Sequence, residues 1–364
     1  MLKGRLLFDV TKAMKQKHKS GLSRVSECLR RELVSLLGDQ LTEVVWSDRK
    51  RTFVGAAQKR DLGIVPEDSL LSAELFCEYE REGIETFLQS GNCYSYSIFH
   101  DAIPLQHPEF TWPHSVQRHP SYMKMLSLFS GAFAVSSYSA ITLEEYWEWL
   151  GIVESPSVTN LQLGADGVYS DPVKRRAPEA GPVRVLILGI LEKRKGQDLA
   201  LEACKRLWDE GFEFEAHFVG RTNPYFGREI ERSIKKASKS GYAAFLRGQI
   251  GDDELRDLLA TTHLTLFPSR AEGCGLPVLE SLWNGIPVVC ADLHPMRENS
   301  RFGGCCLAER ESVEGLSDAL REFLSDGDKL QSLAAGIKSE MLPRWKGTAQ
   351  QIIDHLSSEQ RDYA

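Results

Sequence analysis

No apolar run in the 364 residues approaches the ~20 that a membrane-spanning helix needs, so a span is not expected. The eight cysteines include no Cys-x-x-Cys pair, and most fall in apolar contexts (Cys77, Cys204, Cys290). They read as reduced core thiols of a cytosolic protein, not as a disulfide or zinc framework. No His/Cys/carboxylate cluster has metal-ligand spacing, and no Gly-x-Ser-x-Gly elbow or Walker-type loop is present. The only Asp-x-Asp, Asp326-Gly-Asp328, lies between two helical stretches and reads as a helix cap. A basic stripe interleaved with aromatics is missing too, which excludes nucleic acid as a partner. The opening Met1-Leu-Lys-Gly-Arg-Leu-Leu-Phe is too short for a signal peptide and reads as a strand.

What remains is an ordinary soluble composition, 42% hydrophobic and 26% charged, in a chain long enough for two domains. Net charge is −7 and unevenly spread: residues 1–60 carry 14 Lys+Arg against 6 Asp+Glu. The densest basic run is Lys12-Ala-Met-Lys-Gln-Lys-His-Lys19. It reads as a solvated loop; the functional alternative is a patch for an anionic acceptor, or for weak peripheral contact with an anionic membrane.

Short apolar runs alternate with amphipathic stretches, which predicts α/β domains with mostly parallel sheets. Strands are expected near 5–10, 41–47, 95–98 and 132–135, with helices near 22–37, 121–129 and 143–150. Residues 52–94 show no clear period. The Pro/Gly/charge-rich passage 151–181 reads as a linker, giving an N-terminal domain over 1–175. A second domain over 176–342 restarts at Val183-Arg-Val-Leu-Ile-Leu-Gly189. The last stretch, 343–364, is expected to be a helix packing back toward the N-terminal domain.

One segment is far more specific than the rest: Ser269-Arg-Ala-Glu-Gly-Cys-Gly-Leu-Pro-Val-Leu-Glu280. It follows a short buried strand and opens a helix, with Pro277 in the first turn. Gly273 and Gly275 sit at the turn, where bare backbone N–H groups can approach an anion. Glu272 and Glu280 flank that place; carboxylates there repel phosphate but suit sugar hydroxyls. A ligand with phosphate in the middle and polyols at both ends, a nucleotide-sugar, fits. The alternative is a βαβ unit with two solvated glutamates.

The segment resembles the Glu-x7-Glu motif of the family-4 retaining glycosyltransferases (glycosyl transferases group 1), with Cys274 in place of the usual aromatic residue. The resemblance implies a GT-B fold: two doubly wound Rossmann-like domains facing each other across a cleft. Three more blocks are similar to that family. Gly189-Ile-Leu-Glu-Lys-Arg-Lys-Gly196 would bring Arg194 and Lys195 to the donor diphosphate, with Gly189 beside it. Phe99-His-Asp-Ala-Ile-Pro would face His100 to the donor sugar and set Asp101 on the acceptor side. Ser20-Gly-Leu-Ser-Arg-Val would let Gly21 amides approach the diphosphate. The same resemblance puts Cys274 and Leu276 of the Glu272–Glu280 segment near the nucleotide, and weaker matches add Arg221 (or Asn223), Gln249 and Ile250.

By this resemblance the protein is a metal-independent, retaining hexosyltransferase with no cofactor beyond the donor substrate. Glu272, His100, Arg194 and Lys195 are its catalytic candidates and Glu280 grips the ribose. GDP-mannose is slightly favoured, because the His100 block looks most like that of mannosyltransferases in surface-polysaccharide assembly; the acceptor is a glycan or a lipid-linked sugar. The alternatives are a GT-B enzyme that hydrolyses its donor or uses a sugar-phosphate acceptor, and a catalytically silent nucleotide-sugar binder. The expected location is cytoplasmic, at most peripheral to the inner face of a membrane.

Overall fold

Seven strands form the first sheet in this computed structural model, which describes residues 2–15, 21–167, 171–176 and 181–362. They are β1 (Leu6–Asp9), β2 (Leu41–Ser47), β3 (Thr52–Gly55), β4 (Ser69–Ser72), β5 (Tyr94–Phe99), β6 (Gly131–Ala134) and β7 (Ser157–Asn160), in the order β3-β2-β1-β4-β5-β6-β7. All neighbours are parallel except β2 and β3. A second sheet holds β8 (Val183–Leu188), β9 (Phe214–Val219), β10 (Ala244–Gly248), β11 (Leu264–Phe267), β12 (Val288–Ala291) and β13 (Cys305–Ala308). Its order is β10-β9-β8-β11-β12-β13, parallel throughout. Central strands are buried on both faces, as parallel sheets covered by helices require.

The chain divides into two units, Met1–Gly164 with Pro343–Ala364, and Ala165–Leu342. The first boundary therefore falls before the expected 175/176. Part of the reason is on the second unit: Val173 N donates to Asn284 Oδ1 at 2.8 Å, and Arg175 Nη1 donates to Leu259 O at 2.5 Å. What reads as linker is in part edge strand β7 and in part a strap on the second unit.

The C-terminal helix Trp345–Asp362 belongs to the first unit. It buries Trp345, Ala349, Ile352, Ile353 and Leu356, spaced to line one face of a helix. The helix Gly21–Leu37, against which it packs, buries Val25, Leu29 and Leu33 at the same period. Hydrogen bonds fix the register: Thr348 Oγ1 donates to Gln162 O at 2.7 Å and Gln351 Nε2 to Asn160 O at 2.8 Å.

The helix expected near 121–129 starts earlier, as Pro113–Met125, with Pro120 inside it. Helix His294–Ser300 and strand β13 were not expected. Asp326 does cap a helix, its Oδ1 accepting from Asp328 N and Lys329 N.

Candidate functional site

In the second unit the main candidate residues sit at the carboxyl ends of β8, β9 and β11. After β8 the chain makes a tight turn, Lys193–Lys195, and enters the helix Gln197–Asp209 through Gly196. Gly196 has φ +68°, and a Cβ there would stand 2.0 Å from Pro268 O. Only glycine lets this turn lie against the end of β11. That approach carries Lys195 to the loop after β11, where its Nζ donates to Glu272 Oε1 at 2.6 Å.

Arg194 joins the same carboxylate, Nη1 to Glu272 Oε1 at 3.4 Å, and also donates to Ala271 O at 2.9 Å. Its other face is held by Glu192, whose Oε1 accepts from Arg194 Nε at 3.1 Å and Nη2 at 2.8 Å. Glu192 is in turn held by Asn223 Nδ2, at 3.0 Å from Oε2. Below these, Arg270 grips Asp198 in a two-pronged pair (2.8 and 2.9 Å), and Arg270 N donates to Arg194 O at 2.8 Å. The two loops are thus bolted together by side chains and backbone.

The electrostatics follow from this geometry. Burial pushes the Glu272 carboxyl up, but Lys195 and Arg194 outweigh it and hold it below the usual carboxylate range. Burial lowers Lys195, against the pull of Glu272. Lys195 also stands over the Phe267 ring, 5.1 Å from its centre. Cys274 is different: burial drives its thiol up to about 12, so it is no nucleophile at neutral pH.

The remaining candidates of this unit are placed as follows. Gly275, φ +78°, precedes the helix Leu276–Trp283, and a Cβ there would meet Met296 Cε at 2.1 Å. Asn299 Nδ2 donates to Cys274 O at 2.8 Å and fixes the loop that contains Gly273. Glu280 lies on that helix beside Gly167, whose Cβ would come 3.3 Å from Glu280 Oε1. Gly189 ends β8 over the Lys195 stem, with N donating to Val219 O at 2.9 Å. Arg221 and Gln249 are exposed after β9 and β10, and Ile250 packs at the edge of an apolar cluster with Leu259.

Asn223 is 2% exposed and bonded to Glu192, so it shapes the loop instead of facing a nucleotide. Its Oδ1 also accepts from Tyr225 N at 2.9 Å. Asn223→Ala is expected to cost about 1–3 kcal/mol, because it strips a partner from a buried carboxylate. Urea denaturation measures this; a change under about 0.5 kcal/mol, in the range of an inert surface substitution, contradicts the placement.

The first unit holds the other two candidates at the end of β5. His100 is buried, with Nε2 donating to Ala73 O at 3.1 Å. Burial lowers its pKa, opposed by Ala73 O and Asp101, so the ring is neutral and offers Nδ1 as an acceptor. Asp101 Oδ1 accepts from Ile103 N at 3.0 Å, and His119 Nε2 bonds Asp101 O at 2.9 Å. Gly21 opens its helix, and a Cβ there would meet nothing within 4 Å. Among the described residues no close approach explains that glycine. Residues 16–20, with half of the basic run, lie outside the described residues.

Two features were missed from sequence: Glu192 as the brace of Arg194, and the Arg270–Asp198 pair. A carboxylate two residues from Arg194 in a basic turn was the one local signal for the first.

Residues 172–339 match the model of the glycosyl transferases group 1 family. That match lies within the second unit, Ala165–Leu342. Among the chain's relatives is the serotype-specific mannosyltransferase WbdA of Escherichia coli, 23% identical over 389 residues that cover 97% of this chain and 45% of the relative. The O-antigen chain mannosyltransferase B of Escherichia coli is 26% identical over 187 residues, 50% of this chain and 48% of the relative. The chain spans about half the length of the curated relatives it matches.

Two solved structures share the fold of this chain. Anabaena HepE, in complex with UDP and glucose, superposes with a TM-score of 0.70 at 16% identity, covering 98% of this chain and 100% of that one. Sucrose-phosphate synthase from Thermosynechococcus elongatus gives 0.70 at 12% identity and full coverage of both chains. The fold is GT-B.

Proposed function

We propose that this protein is a retaining glycosyltransferase. It moves a hexose, mannose favoured, from a nucleotide-diphosphate sugar to a glycan or lipid-linked acceptor in polysaccharide assembly. One observation carries the reading: two cations and a carboxylate, Arg194, Lys195 and Glu272, converge at the carboxyl ends of β8 and β11, where open α/β sheets bind ligands. Mannosyltransferases related along 97% of the chain favour mannose as the sugar.

The chemistry follows from those groups. As the bond from sugar C1 to the β-phosphate oxygen breaks, negative charge grows on the departing diphosphate. Arg194 and Lys195 stabilise it without moving, held in advance by Glu192 and Glu272. The acceptor oxygen bonds C1 from the same face and its proton passes to the diphosphate. The protein's own cations do the charge work, so the reaction needs no metal.

A covalent intermediate on Glu272 is disfavoured, because that carboxylate is tied to two cations and held below its usual pKa. Glu272 instead takes sugar hydroxyls through Oε2, and Glu280 the ribose diol. The donor is a cytoplasmic metabolite class, and all eight cysteines are free thiols, which suits that compartment.

The test is product stereochemistry. Proton NMR during turnover with an α-linked donor should show the first-formed product in the α configuration. A β product rules out same-face displacement.

A further inference from the structure

One buried titratable group lies outside the transfer chemistry: His217, 3% exposed, on β9 of the second unit. Its two ring nitrogens have different partners. Nε2 stands 2.9 Å from Glu215 Oε2, and Nδ1 stands 3.2 Å from Arg247 Nε. An ionised carboxylate only accepts and a guanidinium only donates. The neutral ring with its proton on Nε2 is therefore the one form that satisfies both. A second proton would sit on Nδ1, where the Arg247 N–H points, and would set two cations face to face.

The other charged groups at this place do not relieve that conflict. Arg184 Nε, on β8, donates to Glu215 Oε2 at 3.1 Å, and Arg184 N donates to His263 Nδ1 at 3.0 Å. Burial lowers the pKa of His217, opposed by Glu215 and assisted by Arg247 and Arg184. The ring is thus neutral at pH 7 and takes its second proton only in acid. Phe245, on β10, stacks on the His217 ring with centres 5.0 Å apart, and the Arg247 guanidinium stands 5.4 Å from the Phe245 centre. Among the described residues, His217 is the only hydrogen-bond partner of the Arg247 side chain.

What this tether holds is a bulge. Leu246 pairs with Phe218 and Gly248 with Val219, so Arg247 is the extra residue where β10 loses register. Gly248 takes φ +67°, and its carbonyl accepts from Gly220 N at 2.8 Å. Gly220 in turn lies against Gly189: a Cβ on it would stand 1.9 Å from Gly189 O. Gly189 covers the stem of Lys195. The bulge therefore packs, through Gly220 and Gly189, onto the turn that carries the donor-site cations, and it sets the course of Gln249 and Ile250.

We propose that His217 is a pH-sensitive positioning residue of the donor site. Neutral, it holds Arg247 and keeps the bulge in place; protonated, it lets Arg247 go, and the loop through Gln249 and Ile250 loosens. This rests on the donor reading above. It couples donor affinity to pH through a residue that takes no part in the transfer chemistry.

UDP-glucose and GDP-mannose are the donor probes, since their diphosphate diesters do not titrate near neutral pH. Affinity of the full chain for each is measured by calorimetry at about pH 8 and about pH 5, either side of the ordinary histidine range. Whichever donor binds is expected to weaken at the lower pH about threefold more in the wild type than in His217→Gln or Arg247→Ala. Glutamine keeps an acceptor and a donor at that place without titrating, and the alanine variant has no tether to lose. Taking the fall relative to the variants removes whatever other titrating groups contribute.

A second readout needs no ligand: hydrogen exchange across 244–251 in the free chain. At about pH 5 the wild type should exchange these amides about threefold faster than His217→Gln, and at about pH 8 at the same rate. Equal rates at both pH values overturn the proposal, whether or not a donor binds. So does an equal fall in affinity in the wild type and both variants. Exchange that follows the prediction while no donor binds at either pH sinks the donor reading and leaves the pH-dependent tether standing.

Discussion

Lys195→Ala lowers the transfer rate about 10³-fold, the order expected when one preorganised group facing developing charge is removed. The Lys195 Nζ is 2.6 Å from Glu272 Oε1, and its side chain is only 12% exposed. Substitution removes the charge that meets the diphosphate and also leaves Glu272 with Arg194 alone. Both kcat and kcat/KM should fall, since the cation is worth most in the transition state. Tm should be recorded beside them, because breaking a buried ion pair destabilises as well. Lys195→Arg recovers little, as a planar fork does not replace a point charge in this tight turn. A loss below tenfold would mean that Lys195 is structural and that Arg194 or another group meets the leaving group.

Arg81→Ala destabilises the first unit by about 3–5 kcal/mol, the usual cost of leaving a buried charge without its partner. Arg81 is 2% exposed, and its Nη1 donates to Asp9 Oδ2 at 2.6 Å while Nη2 meets Glu74. Its guanidinium stands 3.6 Å from the centre of the Phe76 ring. Asp9 also takes Ser72 Oγ at 2.7 Å and Thr11 Oγ1 at 2.6 Å, and Glu74 takes the Lys12 and Ala13 amides. The network thus fixes the start of the loop after β1, at the centre of the sheet. Urea denaturation measures the cost, and under about 1 kcal/mol would contradict it.

The same network has a pH signature. Burial, then the charge of Asp9, raises Glu74 from 4.5 to about 7. Between those values the folded chain holds a proton that the unfolded chain has released, so this group adds stability as pH falls from about 7 toward 4.5. Glu74→Gln should remove that slope component. An identical pH dependence in the variant would contradict the assignment.

How much of this was legible beforehand depends on where the signal lies. The two-domain α/β plan could be read because strands such as Val183–Leu188 and helices such as Gly21–Leu37 carry long, clear periods. Strand β4, Ser-Leu-Leu-Ser, could not: four residues buried on both faces show no alternation, although the strand is central. Edge strand β7 hid in the same way inside a Pro- and Ser-rich passage. Arg194, Lys195 and Glu272 were readable as contiguous motifs, and the structure joins them. Their braces were not, since Asn223 is 31 residues from Glu192 and Arg270 is 72 from Asp198. The Asp9–Glu74–Arg81 network spans similar gaps and belongs to no motif. Local pattern encodes elements and reactive groups, whereas the supports that position them exist only once the strands are side by side.

The most direct test of the donor site is calorimetric binding of nucleoside diphosphates and their sugar derivatives in the presence of a chelator. The account predicts binding that survives chelation and is lost in Lys195→Ala and in Glu280→Ala, with nucleoside monophosphate much weaker than diphosphate. Binding that disappears with the chelator, or that persists undiminished in Lys195→Ala, would contradict a diphosphate held by the Arg194–Lys195 turn.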